Sequence, residues 1–117
     1  MSFKNKNIKK YLSKTEINAL YRLKIELEKY WPDVKIKIFG SKVSGKFDDE
    51  SDVDLLILLP FDVTEQIRNK IINVVFKINL EFETNISALI LGQSEWESSV
   101  ISSLPIHYFI EKEGILL

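Results

Sequence analysis

Val34-Lys35-Ile36-Lys37-Ile38-Phe39-Gly40-Ser41, followed ten residues later by Asp52-Val53-Asp54-Leu55-Leu56-Ile57-Leu58-Leu59, is the stretch that decides the fold. Residues 34–39 alternate β-branched side chains with lysines, the period-two pattern of a strand with one buried face and one wet face. Residues 53–59 are almost wholly apolar after their first acids, which predicts a central strand covered on both sides. Pro60 ends it.

Working outward, the flanks read as helices. Ile17, Leu20, Tyr21, Leu23, Leu27, Tyr30 and Trp31 recur at three- and four-residue spacing, so a helix is expected from Ser13 or Thr15 as N-cap to about residue 30. Pro32 stops it. Beyond the second strand, Thr64 or Asp62 can cap a helix with Ile67, Ile71, Val74, Val75 and Ile78 on one side. Residues 82–91 read as a third strand ending at Gly92. A short turn of helix holds Trp96, and a last short helix spans residues 106–113, with Gly114 as its stop. The order is helix, strand, strand, helix, strand, short helices: an α+β domain with a mixed sheet and helices packed on it.

Composition bounds the function. With 117 residues one domain is expected: a basic N-terminus over residues 1–12, then a folded unit over 13–117. The absence of cysteine removes disulfides and thiolate metal sites, and the single histidine, His107, removes a histidine-rich zinc site. Sixteen basic against seventeen acidic side chains do not announce a nucleic-acid binder, and nucleic acid is not expected as a partner. Lys4, Lys6, Lys9, Lys10 and Lys14 crowd the first 14 residues and read as a solvated arm. No apolar run approaches a membrane span and no signal-peptide core follows the basic start, so a cytoplasmic protein is expected.

Chemistry concentrates in residues 40–58. Asp52 and Asp54 lie two apart at the mouth of a strand, so both point to one face, with Cα atoms roughly 6.6 Å apart. Two carboxylates ~5 Å apart repel by about 3 kcal/mol at an effective dielectric of 20. A cation removes that cost, and Mg2+ carrying a nucleoside triphosphate is the expected ligand. Gly40 lets backbone approach a phosphate, and the Ser41 hydroxyl and following amides form an anion-binding concavity. Lys42 and Lys46 add positive charge, and Gly45 permits a positive φ within the turn. A Gly-Ser pair, ten residues and Asp-x-Asp arise by chance in such a chain on the order of once in a thousand. Either half alone would read as ordinary turn chemistry.

Gly40-Ser41 with Gly45, then Ser51-Asp52-Val53-Asp54-Leu55-Leu56, resembles the nucleotidyltransferase superfamily typified by DNA polymerase beta. More closely it is similar to the minimal nucleotidyltransferases of bacteria and archaea, over roughly residues 15–117, including the closing residues 111–117. The resemblance implies a nucleotidyltransferase fold, Asp52 and Asp54 as magnesium ligands, and Gly40 and Ser41 as triphosphate contacts. It further implies transfer of AMP from ATP to a hydroxyl, on a HEPN-type partner protein in a toxin-antitoxin pair; self-association is the other expected partnership. Relatives carry a third carboxylate on the next strand, which helps hold metal and takes the acceptor proton. The matching position here is Ser87, which can do neither as a carboxylate does. Glu83 shares its parity four residues away and would substitute only through a bulge. Two functions follow: a magnesium-dependent transferase, or a nucleotide- or partner-binding module that has lost transfer. Lys42 stands where relatives often have arginine. His107 as a base and Trp31 or Trp96 as base-stacking rings are weaker readings than packing.

Overall fold

The computed structural model describes residues 8, 10–44 and 52–117. Among the described residues the elements follow in order: α1 (Lys14–Tyr30), β1 (Lys35–Phe39), α2 (Ser41–Ser44), β2 (Val53–Leu59), α3 (Glu65–Phe82), β3 (Ile86–Gly92), α4 (Gln93–Trp96), α5 (Ser99–Ser102), α6 (Pro105–Glu113) and β4 (Ile115–Leu116). The strands form one mixed sheet in the order β3-β2-β1-β4. β1 runs antiparallel to both β2 and β4, whereas β2 and β3 are parallel, joined by the α3 crossover.

Ser13 is the N-cap of α1 and forms a capping box: its hydroxyl accepts the Glu16 N–H at 3.1 Å and the Glu16 carboxylate accepts the Ser13 N–H at 2.9 Å. Thr64 caps α3 through its hydroxyl alone, accepting the Ile67 N–H. Gly114 caps α6, its N–H reaching the Ile110 carbonyl at 2.8 Å. β2 is the buried centre of the sheet, as its apolar run predicts.

Alternation along β2 divides the interior in two. Val53, Leu55, Ile57 and Leu59 join Ile36 and Ile38 of β1 beneath α1 and α3, in the larger core. Leu56 and Leu58 face the other way and pack with Trp96 and Ile110 under α4 and α6. The wet reading of the N-terminal segment does not extend to Ile8 and Leu12, which are buried in the larger core.

The third strand begins four residues later than its sequence pattern suggests. α3 continues through Phe82, and Glu83 ends it in the left-handed conformation with φ 56°. Asn79 then fixes the turn into β3. Its side-chain oxygen accepts the Ile86 N–H at 2.9 Å and the Thr84 hydroxyl at 2.9 Å, while its amide donates to the Ile86 carbonyl at 3.0 Å. The apolar residue Phe82 belongs to the helix stripe and not to the strand. Among the described residues no helix is long and apolar enough to cross a membrane.

Candidate functional site

β1 ends where Phe39 stands opposite Asp54 of β2. The next residue, Gly40, has φ +84°, and a Cβ there would run into the Asp54 carboxylate oxygen Oδ2. The positive φ is what favours glycine here, and any side chain added would also push the Asp54 carboxylate aside. The Val43 N–H returns to the Gly40 carbonyl at 3.1 Å, closing the turn into α2. Asp54 is half-buried on the same face of β2 as Leu56 and Leu58, and Asp52, just ahead of the strand, is exposed. Burial first, and the neighbouring Asp52 charge second, push the Asp54 carboxyl above the usual carboxylate range. A bound dication would outweigh both effects and favour the ionised carboxylate.

The donor set suits a hard ion. Asp52 and Asp54 offer carboxylate oxygens, the ligands Mg2+ prefers. Among the described residues no cluster of three or more acids and histidines is placed to hold a metal. The remaining ligands would come from the triphosphate and water, as is usual for Mg2+.

Ser87 lies directly beside Asp54 in the parallel β2–β3 register. The position facing Asp54 is thus the one expected for a third acid, and β3 carries no acid anywhere along its length. Glu83 does not take that place. It sits at the left-handed cap of α3, before the Asn79-held turn, and no bulge carries it onto the strand.

Lys42 departs from its expected role. Its side chain is only 3% exposed and its ammonium lies 3.2 Å from Glu16 of α1, so it is turned into the protein and not toward a triphosphate. Glu16 holds Lys42 with one oxygen and the Ser13 N–H with the other, tying α2 to the start of α1. The pattern Ser13-Lys14-Thr15-Glu16 marks Glu16 as a capping residue, but its pairing with Lys42 is a long-range contact that no local pattern reports. Ser41 is half-buried at the start of α2. Gly45 and Lys46 fall outside the described residues.

A cleft of about 510 Å3 opens beside the Gly40 turn, lined by Phe39, Gly40, Ser41, Ile106, Phe109 and Glu113, among others. The sequence reading missed this use of α6, because Ile106 and Phe109 read only as one face of a short helix. Trp96 and His107 belong elsewhere. Trp96 is buried in the smaller core, stacks on His107 with ring centroids 4.3 Å apart, and donates its Nε1–H to Glu111 at 2.8 Å. That hydrogen bond, with help from Lys37, holds the Glu111 carboxyl below its ordinary range despite some burial. His107 therefore lines a separate cavity, with Lys35, Lys37 and Glu111, and is not grouped with the two aspartates. Trp31 caps the end of α1 and packs against the larger core.

Residues 20–114 match the nucleotidyltransferase domain family model. A segment of 56 residues is 38% identical to MJ0141 of Methanocaldococcus jannaschii, described as a candidate protein adenylyltransferase; the match takes in 48% of this chain and spans little more than half, 57%, of that relative. By structure, the chain is similar to a toxin-antitoxin crystal structure with AMP-PNP, with TM-score 0.54 and 18% identity over 85% of this chain and 69% of that one. A mutant of the toxin-antitoxin MntA-HpeT matches with TM-score 0.54 and 19% identity, over 86% and 70% of the two chains. At such identities these two likenesses speak for the fold.

Proposed function

Because the chain belongs to the nucleotidyltransferase domain family, we propose that it transfers AMP from ATP, with Mg2+, to a hydroxyl on a partner protein. The observation that carries this reading is the Gly40 turn, whose positive φ sets its backbone directly against the Asp54 carboxylate, so that the turn and the acid share one spot. Asp52 and Asp54 would hold the cation, Gly40 and Ser41 the triphosphate. When bound, Mg2+ would offset the triphosphate's charge and polarise the phosphorus–oxygen linkage to be broken. The acceptor oxygen bonds to the α-phosphorus as its bond to the β-phosphate oxygen breaks, pyrophosphate leaves, and the acceptor proton goes to a base. Ser87, beside Asp54, is not that base, and water can take the proton. A protein acceptor is supported by the name of the 38%-identical relative and by the toxin-antitoxin assemblies among the structural neighbours. The family resemblance carried by Gly40-Ser41 and Asp52-Val53-Asp54 makes a HEPN-type partner the first acceptor to try.

Ser87 favours a second reading, a module of the same fold that binds a nucleotide or caps a partner without transfer. Calorimetric titration of ATP with Mg2+ into the wild type and the Asp52→Asn/Asp54→Asn variant tests the site; binding lost in the variant is expected. Incubation of the co-expressed partner with ATP labelled at the α-phosphate then separates the readings. Label on the partner, lost with Asp54→Asn, supports transfer; binding without label supports the module. No binding by the wild type, alone or with its partner, removes both nucleotide readings.

A further inference from the structure

Transfer through Asp52, Asp54, Gly40 and Ser41 leaves the cleft beside the Gly40 turn without an occupant. Its volume, about 510 Å3, falls in the range of roughly 300–1,000 Å3 in which proteins hold small organic ligands. One wall is a single stripe of α6, since Ile106, Phe109, Ile110 and Glu113 recur at the three- and four-residue spacing of one helix face. Ile110 is fully buried and anchors the helix against Leu56 and Leu58, on the sheet face that also carries Asp54. Ile106 and Phe109, by contrast, are 41% and 55% exposed. An apolar stripe thus opens to solvent on the side of the sheet where Asp54 lies.

Phosphate does not belong against such walls, because an anion beside apolar side chains loses water and gains no partner. A nucleobase does. Its flat faces are apolar and stack on aromatic rings, whatever hydrogen bonds its edge makes. Gly40 and Ser41 themselves line the cleft, so a triphosphate held on them brings its own base to the cleft mouth. That tether favours the base over any free ligand.

The polar end of the stripe distinguishes one base from another. Glu113 is exposed and makes no hydrogen bond or ion pair among the described residues. A carboxylate only accepts, so it matches an exocyclic amino group and not a carbonyl. Among the described residues no lysine, arginine, asparagine or glutamine lines the cleft, and guanine O6 would find no such donor there. Lys42, close by in sequence, is turned into the protein against Glu16. Adenine, with an amino group in place of that carbonyl, suits the lining best.

We propose that this cleft is the nucleobase pocket, with the adenine ring stacked on Phe109 beside Ile106 and its N6 amino group donating to Glu113. The inference rests on the reading of Gly40 and Ser41 as triphosphate contacts and adds what selects ATP among triphosphates. α6 is then a specificity element that carries neither of the two aspartates.

Calorimetric titration with Mg2+ and a set of phosphates separates this pocket from the reading it rests on. The wild type should bind ATP more tightly than UTP or GTP, and about fivefold more tightly than purine riboside triphosphate, which lacks the N6 amino group. Phe109→Ala should weaken ATP binding about tenfold. Glu113→Leu should abolish the preference for ATP over purine riboside triphosphate. Both variants should keep the wild-type affinity for inorganic tripolyphosphate, and Val100→Ala, on α5 outside the cleft, should change nothing. ATP affinity untouched by Phe109→Ala overturns the pocket and leaves the triphosphate site standing. GTP bound as tightly as ATP, or an N6 preference that survives Glu113→Leu, overturns it equally. A wild type that binds no triphosphate, alone or with its partner, overturns both.

Discussion

The two faces of β2 obey different demands. Toward α1 and α3, every side chain from Val53 to Leu59 at odd positions is apolar and buried. Toward α4 and α6 the strand starts with a carboxylate, Asp54, and only then becomes apolar at Leu56 and Leu58. The first face carries most of the packing. The second gives up burial at one end to keep two acids beside a glycine turn, and the raised Asp54 carboxyl records the cost. Stability and chemistry are thus separated by one residue's parity.

That separation can be tested by substitution. Leu55→Ala, in the larger core, should lose about 4 kcal/mol in urea unfolding while Mg2+-ATP affinity per folded molecule stays unchanged. Lys42→Met leaves Glu16 without its buried ammonium and should cost about 3 kcal/mol, whereas Lys42→Met with Glu16→Leu should recover much of the loss. Recovery of stability without change in nucleotide affinity would confirm that Lys42 serves the fold. Gly40→Ala should cost a smaller ~1–2 kcal/mol in stability, from the left-handed backbone, but should reduce Mg2+-ATP binding more than tenfold by displacing Asp54.

The smallest effect should have the opposite sign. Asp54 binds its proton more tightly folded than unfolded, so its contribution to stability falls as pH rises from the ordinary aspartate range through its raised pKa, then levels. Asp54→Asn should therefore raise the Tm of the metal-free protein at neutral pH and remove that part of the pH dependence. Mg2+ should stabilise the wild type alone. A variant less stable than the wild type without metal would show Asp54 to be a packing residue.

What could be read in advance depended on the range of the interaction. α1, α3, β1 and β2 announce themselves because their apolar periods run for several turns or alternations. The start of β3 did not, since Phe82 suits helix and strand equally and the deciding group, Asn79, acts across a turn. α2 is four residues long, too short to show a period. Of the candidate site, Gly40, Asp52 and Asp54 stand out by type and spacing. Ser87 is reached from the sequence only through the family resemblance, and the strand register then sets it beside Asp54. Lys42 went astray because a lysine next to a Gly-Ser turn looks like a phosphate ligand until Glu16, 26 positions away, is seen to hold it.

β1 has one edge filled by its near neighbour β2 and the other by β4, where Ile38 pairs with Ile115, 77 positions further on. Closing so long a loop carries an entropic cost that must be met before the pairing gives anything back. During refolding the strand should therefore wait half-bonded, with α6, which leads directly into β4, arriving late. Since Ile106, Phe109 and Glu113 of α6 wall the cleft beside Gly40, that cleft should be the last part of the molecule to take shape. Trp96, stacked against His107 of the same helix, should report its arrival as a slow fluorescence phase, after the helices have formed.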